Sequence, residues 1–166
     1  MKKIIHIDMD AYFAAIEIRE DSSLIGKCVI VGGRPNSLGV VSTCSYEARK
    51  FGVHSDTSSH QARKLCPRGI FVHSHFKFYK EVSEQIHAIF FNYTDLVDTM
   101  SLDEAYLDVT TNKAGLDDPA ELVRRIKAEI LASTRSCPLA EKSTAINQIR
   151  VPQVLPVIPV RSPLNS

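Results

Sequence analysis

The spacing of apolar residues changes several times along the chain, and each change marks an element. Residues 3–8, KIIHID, are short, β-branched and mostly apolar, the make-up of a strand. Residues 10–20, DAYFAAIEIRE, then follow a helical pattern with Asp10 as the cap. Gly26 interrupts it. CVIVGG (28–33) reads as a buried strand ending in a glycine turn, and RPNS (34–37) as turn chemistry. LGVVSTCS (38–45) gives another strand. YEARKFG (46–52) gives a short helix stopped at Gly52. SSHQARKLCP (58–67) gives a second short helix, with a serine cap and a proline stop, and GIFVHS (69–74) a strand.

The second half is more regular. FKFYKEVSEQIHAIFFNY (76–93) predicts a long helix with Phe78, Val82, Ile86, Ile89 and Tyr93 on one apolar face. LVDTMS and EAYLDVT, joined through Leu102 and Asp103, predict a hairpin in which Tyr106 belongs to the core. DDPAELVRRIKAEILAST (117–134) predicts the clearest helix. Asp118 caps it, Pro119 suits its first turn, and Glu121 completes a capping box. Leu122, Val123, Ile126 and Ile130 form its buried stripe. With the mixed insertion set aside, the order is β-α-β-β-α. This is an α+β, ferredoxin-like layout without its last strand.

The pattern fails after about residue 135. The remaining segment holds five of the eight prolines and no glycine. VPQVLPVIPV spaces its prolines too closely for a helix or a central strand, which predicts an extended or disordered tail.

Composition narrows the class. The chain has 166 residues, about one domain, with 44% hydrophobic and 23% charged residues, as in ordinary globular proteins. No run approaches the roughly 18 apolar residues of a membrane span. The start, MKKIIHIDMD, opens like a secretory signal, but acidic residues break its apolar run at once, so a cytoplasmic protein is expected. Cys28, Cys44, Cys66 and Cys137 are scattered, as suits reduced thiols. The H-S-H run at 73–75, with Cys66 nearby, fits no zinc spacing. A net charge of +1 is not the basic surplus of a typical nucleic-acid binder, so such binding would need a local patch.

Three carboxylates change the picture. Asp8 ends the first strand, and Asp103 and Glu104 sit at the hairpin. In a ferredoxin-like sheet the first and third strands are neighbours, which would bring the three together. Their repulsion calls for a hard divalent cation, and Mg²⁺ favours carboxylate and phosphate oxygens. Two such ions about 4 Å apart can clamp an in-line phosphoryl displacement. Taken singly, an acid at a strand end also fits a turn former or a helix cap.

The stretches IIHIDMDAYFAAIE, STCSYEARKFGV and SLDEAYLDVT together resemble the Y-family translesion DNA polymerases, in the bacterial DNA polymerase IV branch. The resemblance covers about residues 1–134. It implies a discontinuous palm (1–19 and 76–134) with an inserted fingers domain (20–75), leaving 135–166 as a divergent tail. It implies error-prone, template-directed addition of dNTPs in DNA repair, a nucleotidyltransferase reaction using two Mg²⁺ ions. Asp8, Asp103, Glu104 and the backbone carbonyl of Met9 match the metal ligands, with Asp103 and Glu104 the catalytic pair. Phe13 matches the steric gate that leaves no room for a 2′-hydroxyl. Thr43, Tyr46 and Arg49 match residues that hold the triphosphate, and Tyr46 and Arg49 share a helix face by their spacing. Ser101 matches the serine before the Asp-Glu pair. Without the resemblance, Phe13 also reads as a core aromatic and Arg49 as a solvated charge. The implied partners are a dNTP and primer-template DNA. A sliding clamp is a partner of the full-length family through a C-terminal segment not found here.

Two departures stand out. After GVHS the family carries a small residue and then an apolar pair, whereas this chain reads Asp56, Thr57, Ser58. The family's next palm strand, its lysine-rich helix and its thumb and little-finger domains have no counterpart after residue 134. The expectation is a truncated fragment, weak or inactive by itself. The alternatives are a non-catalytic Mg-nucleotide-binding remnant and an unfolded one.

Overall fold

A computed structural model describes residues 2–134 together with Ile149–Arg150. Apart from that pair, the predictions for 135–166 lie outside the described residues. In chain order the elements are β1 (Ile4–Met9), α1 (Tyr12–Glu20), β2 (Val29–Gly32), β3 (Val41–Cys44), α2 (Tyr46–Arg49), α3 (Ser59–Leu65), β4 (Ile70–Val72), α4 (Phe76–Phe91), β5 (Val97–Thr99), β6 (Glu104–Asp108), α5 (Pro119–Thr134) and β7 (Ile149–Arg150). A four-stranded antiparallel sheet runs β5-β6-β1-β7, and a three-stranded sheet runs β3-β2-β4. In the second sheet β2 is antiparallel to β3 and parallel to β4.

Strand alternation assigns the faces of the first sheet. Ile5 and Ile7 of β1, with Ala105 and Leu107 of β6, point into the core. There they meet Tyr12 and Ile16 of α1, Tyr79, Val82 and Ile86 of α4, and Leu122, Ile126 and Ile130 of α5. Each buried isoleucine or leucine contributes about 1.5–3 kcal/mol. The same alternation turns Ile4, His6 and Asp8 to the opposite, open face, with Asp108, Tyr106 and Glu104 as their cross-strand partners. β2 divides its side chains too: Val29 and Val31 join the large core, while Ile30 packs with Val41, Cys44, Ala48 and Val53 in a smaller one. The two sheets are therefore joined through β2 and through α1, which packs on both β2 and β3.

Several local expectations are revised. Helix α1 begins at Tyr12 after Ala11, and no side chain caps it. Asp10 is not the cap. Its carboxylate is engaged elsewhere, as described below. The buried face of α4 contains Tyr79 rather than Phe78, which is 36% exposed. Tyr79 can be buried because its hydroxyl donates to Glu17, itself only 4% exposed. Tyr106 is on the open face, stacked on His6 with ring centroids 4.4 Å apart, and is not core. Asp118 does accept from the Ala120 N–H at 2.9 Å, but Glu121 turns to Arg124 and Arg125 in place of a capping box. Ser58 caps α3 by accepting from the Gln61 N–H. At the sheet edge, β7 pairs Arg150 with Asp8 and Ile149 with Met9. That edge of β1 is therefore covered at those two positions, where the sequence pattern supplied no last strand. Ile4–Ile7 have no strand partner on that side among the described residues.

Candidate active site

The end of β1 and the start of β6 set the carboxylates. Asp8 lies directly across from Glu104, on the open face. The Met9 N–H donates to the Asp103 carbonyl at 3.0 Å, so the pairing continues one residue past the strand. Asp103 is fixed by Ser101, whose hydroxyl donates to Oδ1 at 2.6 Å and accepts from the Asp103 N–H at 3.3 Å. Partial burial first, and then the charges of Asp103 and Glu104, hold the Asp8 carboxyl above the usual carboxylate range. Glu104 has another partner: its Oε1 lies 2.7 Å from His6 Nε2. His6 was not singled out in the sequence. Its position two residues before Asp8 on a strand was the available signal, since such residues share a face.

A cavity of about 210 Å³ opens beside these groups. Asp8, Met9 and Asp103 line it together with Phe13, Thr43 and Arg49. Asp10, Ser42 and Ser55 also reach it, and none of the three was foreseen as a site residue. Tyr46 and Glu104 are next to lining residues but not on the wall. Phe13 rests on Tyr79, with centroids 4.3 Å apart and planes nearly parallel, and meets Phe76 edge-on at 5.9 Å. Tyr79 is in turn pinned by Glu17, and Tyr12 donates to the Tyr79 carbonyl at 2.8 Å. The ring of Phe13 thus has a buried support and little freedom to retreat.

Thr43 and Arg49 come from β3 and α2. Thr43, 8% exposed, alternates with Cys44, which fills the small core. Helix α2 starts at Ser45, whose hydroxyl accepts from the Val29 N–H at 3.0 Å and donates to the Lys27 carbonyl. That ties the helix to the start of β2. Arg49 stands over the Tyr46 ring at 5.0 Å, a cation–π contact. Its Nη1 pairs with Asp10 Oδ1 at 2.8 Å, and the Tyr46 hydroxyl donates to Asp10 Oδ2. Partial burial works against the Arg49 charge, but Asp10 outweighs it and holds the guanidinium above its ordinary pKa.

The donor set of Asp8, Asp103, Glu104 and the Met9 carbonyl is all hard oxygen, the chemistry that suits Mg²⁺. The raised pKa of Asp8 comes first from burial and then from the neighbouring Asp103 and Glu104 charges, both of which a bound cation would offset. As they stand, no three acidic, histidine or cysteine side chains among the described residues converge closely enough to hold an ion. Glu104 would have to leave His6 to join the others.

The departures from the family pattern have local reasons. Asp56 adopts φ 66°, the left-handed region that aspartate tolerates better than most residues. It is exposed, and its N–H donates to the Val41 carbonyl at 2.9 Å. Thr57 closes the turn by accepting from the His54 N–H, and Ser58 begins α3. His75 pairs with Glu17 at 2.9 Å. Cys28, Cys44 and Cys66 are free thiols. No described helix is long and apolar enough to cross a membrane.

Comparison with known proteins converges on one group. Residues 7–140 match the model of the impB/mucB/samB family. The chain is 57% identical over 129 residues to DNA polymerase IV of Clostridioides difficile strain 630, covering 78% of this chain and 35% of that protein. It is 56% identical over 129 residues to DNA polymerase IV of a Listeria monocytogenes strain, covering 36% of its length. The chain thus spans just over a third of the curated relatives it matches. Among solved structures, DinB from Sulfolobus solfataricus aligns with a TM-score of 0.72 and 34% identity, over 78% of this chain and 38% of that one. An insertion ternary complex of Dbh DNA polymerase aligns with a TM-score of 0.71 and 35% identity, over 78% of this chain and 39% of that one.

Proposed function

Because this chain belongs to the impB/mucB/samB family of Y-family DNA polymerases, we propose that it forms the palm and fingers of a DNA polymerase IV-type translesion enzyme. Residues 1–19 and 76–134 would be the palm and 20–75 the fingers. The substrates would be a dNTP and a primer-template DNA. Asp8, Asp103, Glu104 and the Met9 carbonyl would hold two Mg²⁺ ions. When bound, such ions stabilise charge on the attacking and leaving oxygens of phosphoryl transfer.

The remaining roles follow from the protein's own groups. Thr43, Tyr46 and Arg49 would grip the triphosphate. Arg49 is suited to this because a planar guanidinium meets phosphate oxygens in pairs. Phe13 would lie under the sugar, where a ring backed by Tyr79 cannot yield to a 2′-hydroxyl. Ser101 would keep the Asp103 carboxylate aimed at the cavity through its 2.6 Å hydrogen bond.

The observation that carries the reading is the cavity itself, whose lining brings together the carboxylates of Asp8 and Asp103, the Arg49 guanidinium, the Thr43 hydroxyl and the Phe13 ring. That is the polarity a metal-bound triphosphate requires. A thermal melt of the chain tests it, with and without Mg²⁺ and dATP. A ligand at 100 times its dissociation constant should stabilise the fold by about 2.7 kcal/mol. The gain is expected in the parent chain and not in Asp103→Ala. Equal gains in both chains, or none in the parent, would sink the proposal.

A second reading is a module that binds Mg-nucleotide without copying DNA. It is favoured by the pairing of Glu104 with His6 at 2.7 Å, which engages one of the proposed metal ligands elsewhere. Primer extension with Asp103→Ala as control separates the two.

A further inference from the structure

The carboxylate of Asp10 reaches across from the β1–α1 turn to the second sheet's helix α2. Sequence pattern alone makes it a helix cap, yet α1 has no side-chain cap. Ala11, the next residue, takes φ 52°, a left-handed conformation that residues other than glycine rarely adopt. The turn keeps that conformation, and Asp10 spends both oxygens on α2. Oδ1 takes Arg49 Nη1 at 2.8 Å, and Oδ2 takes the Tyr46 hydroxyl. Two residues earlier, near the end of β1, is Asp8. One short piece of chain therefore supplies an acidic group of the cavity and, through Asp10, holds its basic one.

We infer that Asp10 is a positioning residue: it holds Arg49 and Tyr46 on the palm and so presents the guanidinium to the triphosphate. This rests on the nucleotide reading above. The hydrogen-bond inventory gives the two partners different parts. A guanidinium carries five N–H donors, more than one carboxylate can take up, so Arg49 can hold Asp10 and phosphate together. A phenol has one proton. That of Tyr46 goes to Asp10 until a phosphate competes for it, and its ring centroid lies 5.0 Å from Arg49 Cζ. The arrangement also fixes the distance between the fingers' cation and the carboxylates of the palm, which a triphosphate bound to Mg²⁺ must span.

The test is a double-mutant cycle on the full 166-residue chain, reading the affinity for dATP in the presence of Mg²⁺. Asp10→Asn keeps the shape of the side chain and removes its charge. It is expected to weaken dATP about tenfold, the scale of one charge-assisted hydrogen bond. Arg49→Ala should weaken it at least as much. The double variant should be no worse than Arg49→Ala alone, because Asp10 acts through Arg49. A role in the fold alone would instead lower affinity in both backgrounds, so multiplied penalties overturn the inference. Should Asp10→Asn not melt cooperatively, Asp10→Glu replaces it in the cycle. That variant keeps the charge and shifts the carboxylate by one methylene, and the same non-additivity is expected. A parent chain that binds dATP while the Asp10 variants match it overturns this inference and leaves the nucleotide reading standing. A parent that binds no dATP overturns both.

Discussion

At Asp8 the chain carries a carboxylate in a place that disfavours its charge. Partial burial raises its pKa first, and Asp103 and Glu104 raise it further. The folded form therefore binds the Asp8 proton more tightly than the unfolded chain does, so keeping Asp8 ionised opposes folding. Asp8→Asn is expected to raise the unfolding free energy of the metal-free chain at pH 7 by about 0.2–1 kcal/mol, the range for exposed charge pairs. It should also remove most of the stabilisation that Mg²⁺ gives. Denaturant titration of both chains, with Mg²⁺ and with a chelator, reads the two effects together. A variant less stable than the parent without metal would mean that Asp8 has a favourable partner in the fold. The residues that sequence reading found and missed divide along the same physical line. Asp8, Asp103 and Glu104 were legible because strand ends and a hairpin are local features. The role of Asp10 was not, because its partners lie 36 and 39 positions away and a carboxylate before a helix also looks like a cap. His6 and Tyr106 were legible in principle: the alternation that buries Ala105 and Leu107 puts Tyr106 on the other face.

Among the elements, the β2–β3 pair shapes the cavity most directly. Its register shifts between Val31 and Gly32, and Gly32 takes φ 144° at that irregularity. A Cβ there would lie 2.4 Å from the Val40 carbonyl oxygen and 2.9 Å from the Ser42 nitrogen, both backbone atoms that cannot swing away. Gly32→Ala is expected to cost about 1–3 kcal/mol of stability, the scale of a forced backbone conformation. Because Ser42 and Thr43 follow on β3 and line the cavity, the variant should weaken Mg-dATP more than its stability loss alone explains. Affinity measured well below the melting midpoint distinguishes the two. Unchanged affinity would show that the bulge matters to the sheet and not to the pocket. The sequence placed this strand from Leu38, but the pairing begins at Val41, since the bulge and the glycines at 32, 33 and 39 delay it. Elsewhere the elements were legible wherever the pattern was long: α4 and α5 fall within a few residues of their predicted bounds. Even in α4 the buried face turned by one residue. An apolar count favours Phe78, but only Tyr79 has a hydroxyl that can satisfy buried Glu17.

On the scale of the molecule, net charge bears on the DNA binding proposed above. Twenty basic residues face nineteen acidic ones, so there is no general attraction to phosphate. The open face of the first sheet is worse than neutral. It presents Asp8, Glu104 and Asp108, with Asp98 across from Tyr106, and Lys2 there is paired with Asp108 at 3.5 Å. Among the described residues named on this face, a duplex would meet four carboxylates against the single lysine Lys2. Binding to a primer-template is therefore expected to be weaker than about 10⁻⁵ M at physiological salt, near or below ordinary non-specific affinity. Few displaced counterions also mean a shallow dependence on monovalent salt, with a log–log slope smaller in magnitude than about 3. Mg²⁺ supplies the sharper sign. Added to a typical basic DNA-binding protein, it competes for phosphate and loosens the complex. Here it would neutralise the acidic cluster and should tighten binding in the parent but not in Asp103→Ala. Fluorescence anisotropy on a labelled duplex, titrated with Mg²⁺ at fixed ionic strength, measures this directly. Tight binding that Mg²⁺ weakens, with a steep salt slope, would mean that the grip on DNA comes from a basic surface other than this face.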